Sequence, residues 1–181
     1  VKDVVQVLDP TLYRTNDLWT QLASDKFKKR KYVVTYNLHH DKKLDAFASG
    51  LAKEKGLELL NISYNWHDVI RPGKLVWCPS VEEYLGLIKD AEYVIADSFH
   101  ATAFSIQFHK KFISFYPEKA SMRIRDILKK LDISQRGTEG NPNVRDIEAD
   151  IDYNAVDNLL KKYRKQDEEY LLTVTNAIKM K

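Results

Sequence analysis

The stretch Asp97-Ser98-Phe99-His100-Ala101-Thr102 gathers the most chemistry-capable side chains into the fewest residues. It follows Tyr93-Val94-Ile95-Ala96, which reads as a buried strand. It precedes Ala103, Phe104, Ser105, Ile106 and Phe108, and Ala101, Phe104, Ser105 and Phe108 fall on one helical face. That spacing places Ser98 at a helix N-cap and His100 in the first turn. A helix start offers unpaired N–H groups and the positive end of the backbone dipole, which favour phosphate or carboxylate. An imidazole there can serve as general acid or base. The alternative is that His100 only caps the helix or bonds a carbonyl, and position alone leaves both open.

Other candidates are weaker. Arg123 and Arg125 open a helical stripe (Ile124, Ile127, Leu128, Leu131) after the strand Phe112 to Phe115. Arginine grips phosphate or carboxylate bidentately; Arg123 lies on the rim and is preferred, while Arg125 reads as a solvated charge. Arg71-Pro72-Gly73-Lys74 is a second basic loop. His39 and His40 follow the strand Tyr32 to Tyr36. Adjacent side chains in an extended loop point apart, so they make a poor metal pair and default to solvent. His67 and His109 have no helpful sequence neighbours. Lys26 to Lys31 reads as a solvated linker, Trp19, Trp66 and Trp77 as packing residues, and Asp167, Glu168 and Glu169 as surface charge.

The elements that must position these groups alternate strand with helix. Strands are expected at Tyr32 to Tyr36, Leu57 to Ile62, Tyr93 to Ala96 and Phe112 to Phe115, with weaker ones at Val4 to Leu8 and Leu75 to Trp77. Their apolar runs are nearly continuous, as in strands buried on both faces of a parallel sheet. Helical stripes lie between them: Leu44, Phe47, Ala48 and Leu51 before Gly56, and Tyr84, Leu85 and Ile88 after a Ser80–Glu83 capping box. Gln135 to Asp150 reads as a polar surface loop, followed by a long helix over about 154–179. The pattern predicts one doubly wound α/β domain over 1–181, with a mainly parallel sheet and ligands beyond its carboxyl edge.

Composition agrees with a globular domain. The chain has 181 residues, 44% of them hydrophobic and 30% charged. Its 29 basic against 26 acidic residues give a net charge of +3, too small to argue for nucleic acid. The single cysteine, Cys78, excludes an internal disulfide framework and fits a reducing compartment. No apolar run approaches the roughly 20 residues of a spanning helix. The first residue is Val1 rather than Met, which reads as a processed or excised piece whose partner half is missing.

Several segments together resemble the polysaccharide pyruvyl transferase family: Pro79-Ser80-Val81-Glu82-Glu83-Tyr84-Leu85, Ala91-Glu92-Tyr93-Val94 and Asp97 to Ser105. Leu8-Asp9-Pro10-Thr11-Leu12 is similar to the family's upstream Asp-Pro-Thr segment. Arg123-Ile124, Leu128, Arg136 and Ile151-Asp152-Tyr153 are similar to its downstream pattern. Two positions depart from it: Ala101 stands where Gly is usual, and Ser98 where the better-known ketal-forming members carry Arg.

The resemblance implies the C-terminal Rossmann-like half of a two-domain enzyme in the glycosyltransferase-B arrangement. It implies transfer of a pyruvyl group from phosphoenolpyruvate to sugar hydroxyls in capsule or exopolysaccharide synthesis. The acceptor would be a sugar or lipid-linked oligosaccharide. His100 is then the catalytic group, and Asp9, Asp97, Ser98, Thr102, Ser121 and Arg123 bind substrate. No metal, other cofactor or nucleic acid is expected. The location implied is cytoplasmic, with the inner face of the membrane as one option. One half alone is expected to fold without catalysing. A nucleotide-sugar-dependent glycosyltransferase of similar fold and a non-catalytic binding domain stand as alternatives.

Overall fold

The four strongest runs of β-branched and aromatic residues form the middle of one sheet. In the computed structural model, which describes residues 5–119 and 121–179 and side chains to residue 176, they are β1 (Tyr32–Tyr36), β2 (Glu58–Ser63), β4 (Tyr93–Ala96) and β5 (Lys111–Phe115). β3 (Lys74–Trp77) and β6 (Gly137–Thr138) form the edges. All neighbours are parallel, in the order β3-β2-β1-β4-β5-β6. This is the expected doubly wound α/β sheet. From β1 the chain builds outward in one direction, and from β4 in the other.

Helices cover both faces, which is why the strands carry apolar residues almost without interruption. On one face, α3 (Lys42–Lys55) and α7 (Val144–Glu148) bring Leu44, Ala48, Leu51 and Ile147 onto Val33, Ile95, Ile113 and Phe115. On the other lie α4 (Val81–Lys89), α5 (Phe99–Gln107), α6 (Met122–Lys130) and the first half of α8 (Tyr153–Lys179). Their Leu85, Ile88, Phe104, Ile124 and Leu160 meet Val34, Leu60, Val94 and Phe112. Each such side chain contributes about 1.5–3 kcal/mol by leaving water. The capping box at α4 forms as the sequence indicates, with Ser80 accepting from the Glu83 N–H.

Two short helices, α1 (Pro10–Tyr13) and α2 (Asn16–Leu22), precede the sheet. Buried Gln107, at the end of α5, donates to the Thr11 and Arg14 carbonyls at 2.6 Å each. Arg164 of α8 donates to Leu12 O and Arg14 O. Free carbonyls at the end of α1 are thereby satisfied by side chains distant in sequence, which ties α1 to α5.

Three expectations need correction. Val4 to Leu8 is not a strand over its described part, and Val4 itself lies outside the described residues. β3 and β6 already occupy the edges, and the Leu8 N–H goes instead to Asp167 Oδ2 at 2.7 Å. Asp167 is therefore a buried anchor and not surface charge. The segment from Gln135 to Asp150 is not wholly a surface loop. It holds a 3-10 turn (Ser134–Arg136), β6 and α7. Arg136 is fully buried, and its guanidinium donates to the Asp146, Ile147 and Ala149 carbonyls, closing the end of α7.

Two predictions follow from this packing. The Ala23–Ser24 segment crosses α4 backbone to backbone, with the Ser24 N–H on Glu82 O at 2.8 Å. A methyl on Gly86 would overlap the Ser24 carbonyl. Gly86→Ala should cost about 1–3 kcal/mol, read as a lower urea midpoint at unchanged slope. Glu148 accepts from Tyr93 at 2.6 Å, Lys55 at 2.8 Å and Lys111 at 2.5 Å, and these bonds hold its carboxyl down at about 2. Its contribution is complete above its ordinary value of 4.5 and disappears as pH falls toward 2. Glu148→Gln should melt about 2–4 °C below wild type at pH 7, and the gap should narrow from pH 4.5 downward.

Candidate active site

The order of the strands reverses between β1 and β4. The chain leaves β1 toward α3 on one face and leaves β4 toward α5 on the other, so the two loops part and open a crevice at the sheet's carboxyl edge. Asp97 bridges it. This carboxylate, 2% exposed, accepts from the Leu38 N–H at 2.7 Å and the His39 N–H at 2.8 Å. His39 Nδ1 is also 2.8 Å from Asp97 Oδ2. A buried carboxylate needs such donors to offset lost hydration.

The β1–α3 loop is held from below as well. Asn37 bonds Asp41 and Asp45, and Arg71 donates to Asp45 and to the Asn37 carbonyl. Arg71 is thus an internal strut, not an anion grip. Burial disfavours its charge, but Asp45 and Asp68 more than compensate and strengthen its hold on the proton. His40, in the left-handed region with φ 56°, turns to the other side, its Nδ1 3.5 Å from Asp68.

α5 begins as the sequence indicates. Ser98 is its N-cap and accepts from the Ala101 N–H, while His100 is exposed in the first turn. Beside it stand Asp9 and Arg123, with Arg123 Nη2 on Asp9 Oδ2 at 2.6 Å and its guanidinium 4.0 Å from the centre of the Phe99 ring. Burial raises the Asp9 carboxyl's hold on its proton. The Thr11 N–H and hydroxyl, then His100 and Arg123, outweigh that and keep it below its ordinary range. Asp9, Phe99 and Arg123 line a hollow of about 130 Å³. His100 and Ser98 line a second, of about 260 Å³, walled by Tyr36, Tyr64, Tyr84 and Phe104. A third, of about 500 Å³, lies between His39, Asp97, Lys43, Tyr116 and Glu139.

The structure therefore gathers Asp9, Ser98, His100 and Arg123 at one helix start. It places Thr102 beneath, with its hydroxyl on Ser98 O at 2.9 Å and Ser114 Oγ at 2.7 Å. Ser121 precedes α6, and its hydroxyl accepts from Arg125. Arg125 is no free charge either: it lies 3.8 Å over the Tyr116 ring. His39 is paired where sequence reasoning left it in solvent. The only signal for that was an acidic residue at the end of the neighbouring strand. His109 stacks on Tyr153 at 4.4 Å and meets Asp157 at 3.1 Å. Trp19 packs on Phe104, but Trp66 and Trp77 are 60% and 54% exposed, edge to face at 5.5 Å. Among the described residues, no group of three or more His, Cys, Asp or Glu is placed to hold a metal, and no helix is long and apolar enough to cross a membrane.

The family model described as polysaccharide pyruvyl transferase matches residues 1–119. The chain belongs to that family. The match takes in β1 to β5 together with Asp9, Asp97, Ser98, His100 and Thr102; Ser121 and Arg123 lie beyond its end. No curated protein and no solved structure matches the chain. For this pyruvyl transferase family member, Asp9 joins the family's upstream segment to the α5 start through Arg123.

Asp9 also caps α1 through the Thr11 N–H, at 3.0 Å. Asp9→Ala should lose cap and ion pair together, about 1 kcal/mol or more. Asp9→Asn keeps a capping oxygen and should lose only a few tenths. Urea melts of the two variants at pH 7 check the difference.

Proposed function

We propose that this chain takes part in transferring a pyruvyl group from phosphoenolpyruvate to two hydroxyls of a sugar, forming a ketal in the synthesis of a capsular or other exopolysaccharide. It would do so as the C-terminal half of a two-domain enzyme on the cytoplasmic side of the membrane, with a sugar or lipid-linked oligosaccharide as acceptor. The observation that carries the reading is the α5 start, where an exposed histidine, free backbone N–H groups and an arginine converge at the crevice of a pyruvyl transferase family member.

The chemistry suits these groups. Phosphoenolpyruvate presents a phosphate and a carboxylate. The first turn of α5 and the Ser98 hydroxyl offer donors to one, and Arg123 to the other. Arg123 is pre-aimed, since Asp9 fixes one nitrogen and Phe99 one face, and among the described residues its remaining donors have no partner. His100 gives a proton to the methylene carbon, and the adjoining carbon gains oxocarbenium character. A sugar hydroxyl adds there, phosphate departs, and a second hydroxyl closes the ring. The donors at the helix start stabilise charge on the phosphate as it leaves. Closure by a second domain would exclude water from the cationic centre.

His100→Asn decides the role of the imidazole. Asn keeps a polar group at the helix start but cannot carry the proton. In the complete gene product, turnover should fall by about 10²–10⁴-fold with an unchanged thermal midpoint, and one limb of the pH–rate profile should disappear. Near-normal turnover would remove His100 from the mechanism.

A further inference from the structure

The ketal reaction moves two protons, and at the α5 start Asp9 is tied to Arg123, which leaves His100 to carry one of them. We propose that His39, held by Asp97, is the second: the base that takes the proton of the attacking sugar hydroxyl, with the acceptor sugar in the hollow beside it. This rests on the pyruvyl-transfer reading above.

His39 Nδ1 lies 2.8 Å from a carboxylate oxygen, so the neutral ring carries its proton on Nδ1 and its lone pair on Nε2. Asp97 is 2% exposed, and among the described residues its carboxylate bonds the Leu38 and His39 N–H groups and this ring. The carboxylate therefore fixes the setting of the imidazole and leaves Nε2 as its second, unbonded nitrogen among the described residues. The His39 side chain is 47% exposed, so the ring is reachable. The Asp97 bonds above and the Asn37–Asp45–Arg71 cluster below fix the loop that carries it. The adjoining hollow of about 500 Å³ is within the range of small-molecule sites. Its lining of Lys43, Tyr116, Lys119 and Glu139 offers both donors and acceptors, as a polyhydroxyl ligand needs. His39 stands on the β1 side of the crevice and His100 on the β4 side, and Asp97 ties the two loops together.

The protons balance. His100 gives one to the methylene carbon, which becomes a methyl group. The first hydroxyl oxygen bonds to the adjoining carbon as its proton passes to His39 Nε2. The bond from that carbon to the phosphate oxygen then breaks, and phosphate leaves with the His39 proton. The second hydroxyl oxygen closes the ketal, and its proton returns to His100. Both histidines are restored.

The test uses the complete gene product, phosphoenolpyruvate and a panel of methyl hexopyranosides, with the ketal methyl signal read by proton NMR. Wild type should form ketal with at least one of them. His39→Ala should lower turnover by about 10²–10⁴-fold while the KM for phosphoenolpyruvate stays unchanged. Added imidazole should restore at least a tenth of the lost rate, which a merely structural role would not allow. His39→Gln, which cannot accommodate imidazole, should stay slow with or without it. A nitrogen-15 spectrum of wild type should show the Nδ1–H tautomer for His39. Turnover of His39→Ala within threefold of wild type, or a loss that imidazole does not restore, overturns the proposal while leaving pyruvyl transfer intact. If wild type makes no ketal with any sugar, the transfer reading fails first and the role of His39 falls with it.

Discussion

A carboxylate taken out of water must be given donors, and that requirement organises the carboxyl edge of the sheet. Asp97 directly follows the central strand β4, which pairs with a strand on either side. Its oxygens are met by N–H groups from a loop 58 and 59 residues away in sequence. The crevice between the diverging loops is thus neither closed by apolar packing nor left slack. Two backbone bonds tie its walls together. Breaking a buried charged pairing of this kind costs more than a surface ion pair contributes.

A second set of ties brings the other wall into place. α1 has only four residues and could not persist alone. Gln107, Trp19 and Arg164 occupy its carbonyls, and Asp9 caps its start. The same Asp9 holds Arg123, so α1 acts as a rigid bracket between α5 and α6. Polar side chains distant in sequence therefore hold Asp9 and Arg123 in place, while the apolar core supplies the platform.

The platform was legible because burial on both faces leaves a plain mark. The strands at Tyr32, Tyr93 and Phe112 contain few polar interruptions, and helices between them have clear stripes. The Ser98–His100 helix start was legible for the same reason: a buried strand, a polar turn and small residues in succession. What sequence hides is long-range polar pairing. Nothing in Gln135 to Asp150 announces that Arg136 will be buried beneath the end of α7, or that two residues suffice for a sixth strand. Asp167 looks like its exposed neighbour Glu168 until the Leu8 N–H arrives from the other end of the chain. His39 is the costliest omission, because its partner is 58 residues away and only the strand order brings them together.

The exposed indoles of Trp66 and Trp77 have an optical consequence. Their rings are 5.5 Å apart and inclined at 76°, close enough for their excited states to mix. Mixed transitions of two inclined chromophores split into circular-dichroism bands of opposite sign, whose amplitude depends on separation and relative rotation. Trp77 ends β3 and Trp66 lies in the 3-10 turn Trp66–Ile70 after β2, so the split reports the mutual setting of two segments on the carboxyl edge of the sheet. The protein thus carries a built-in, label-free gauge of its own rim, readable in dilute solution without altering a residue.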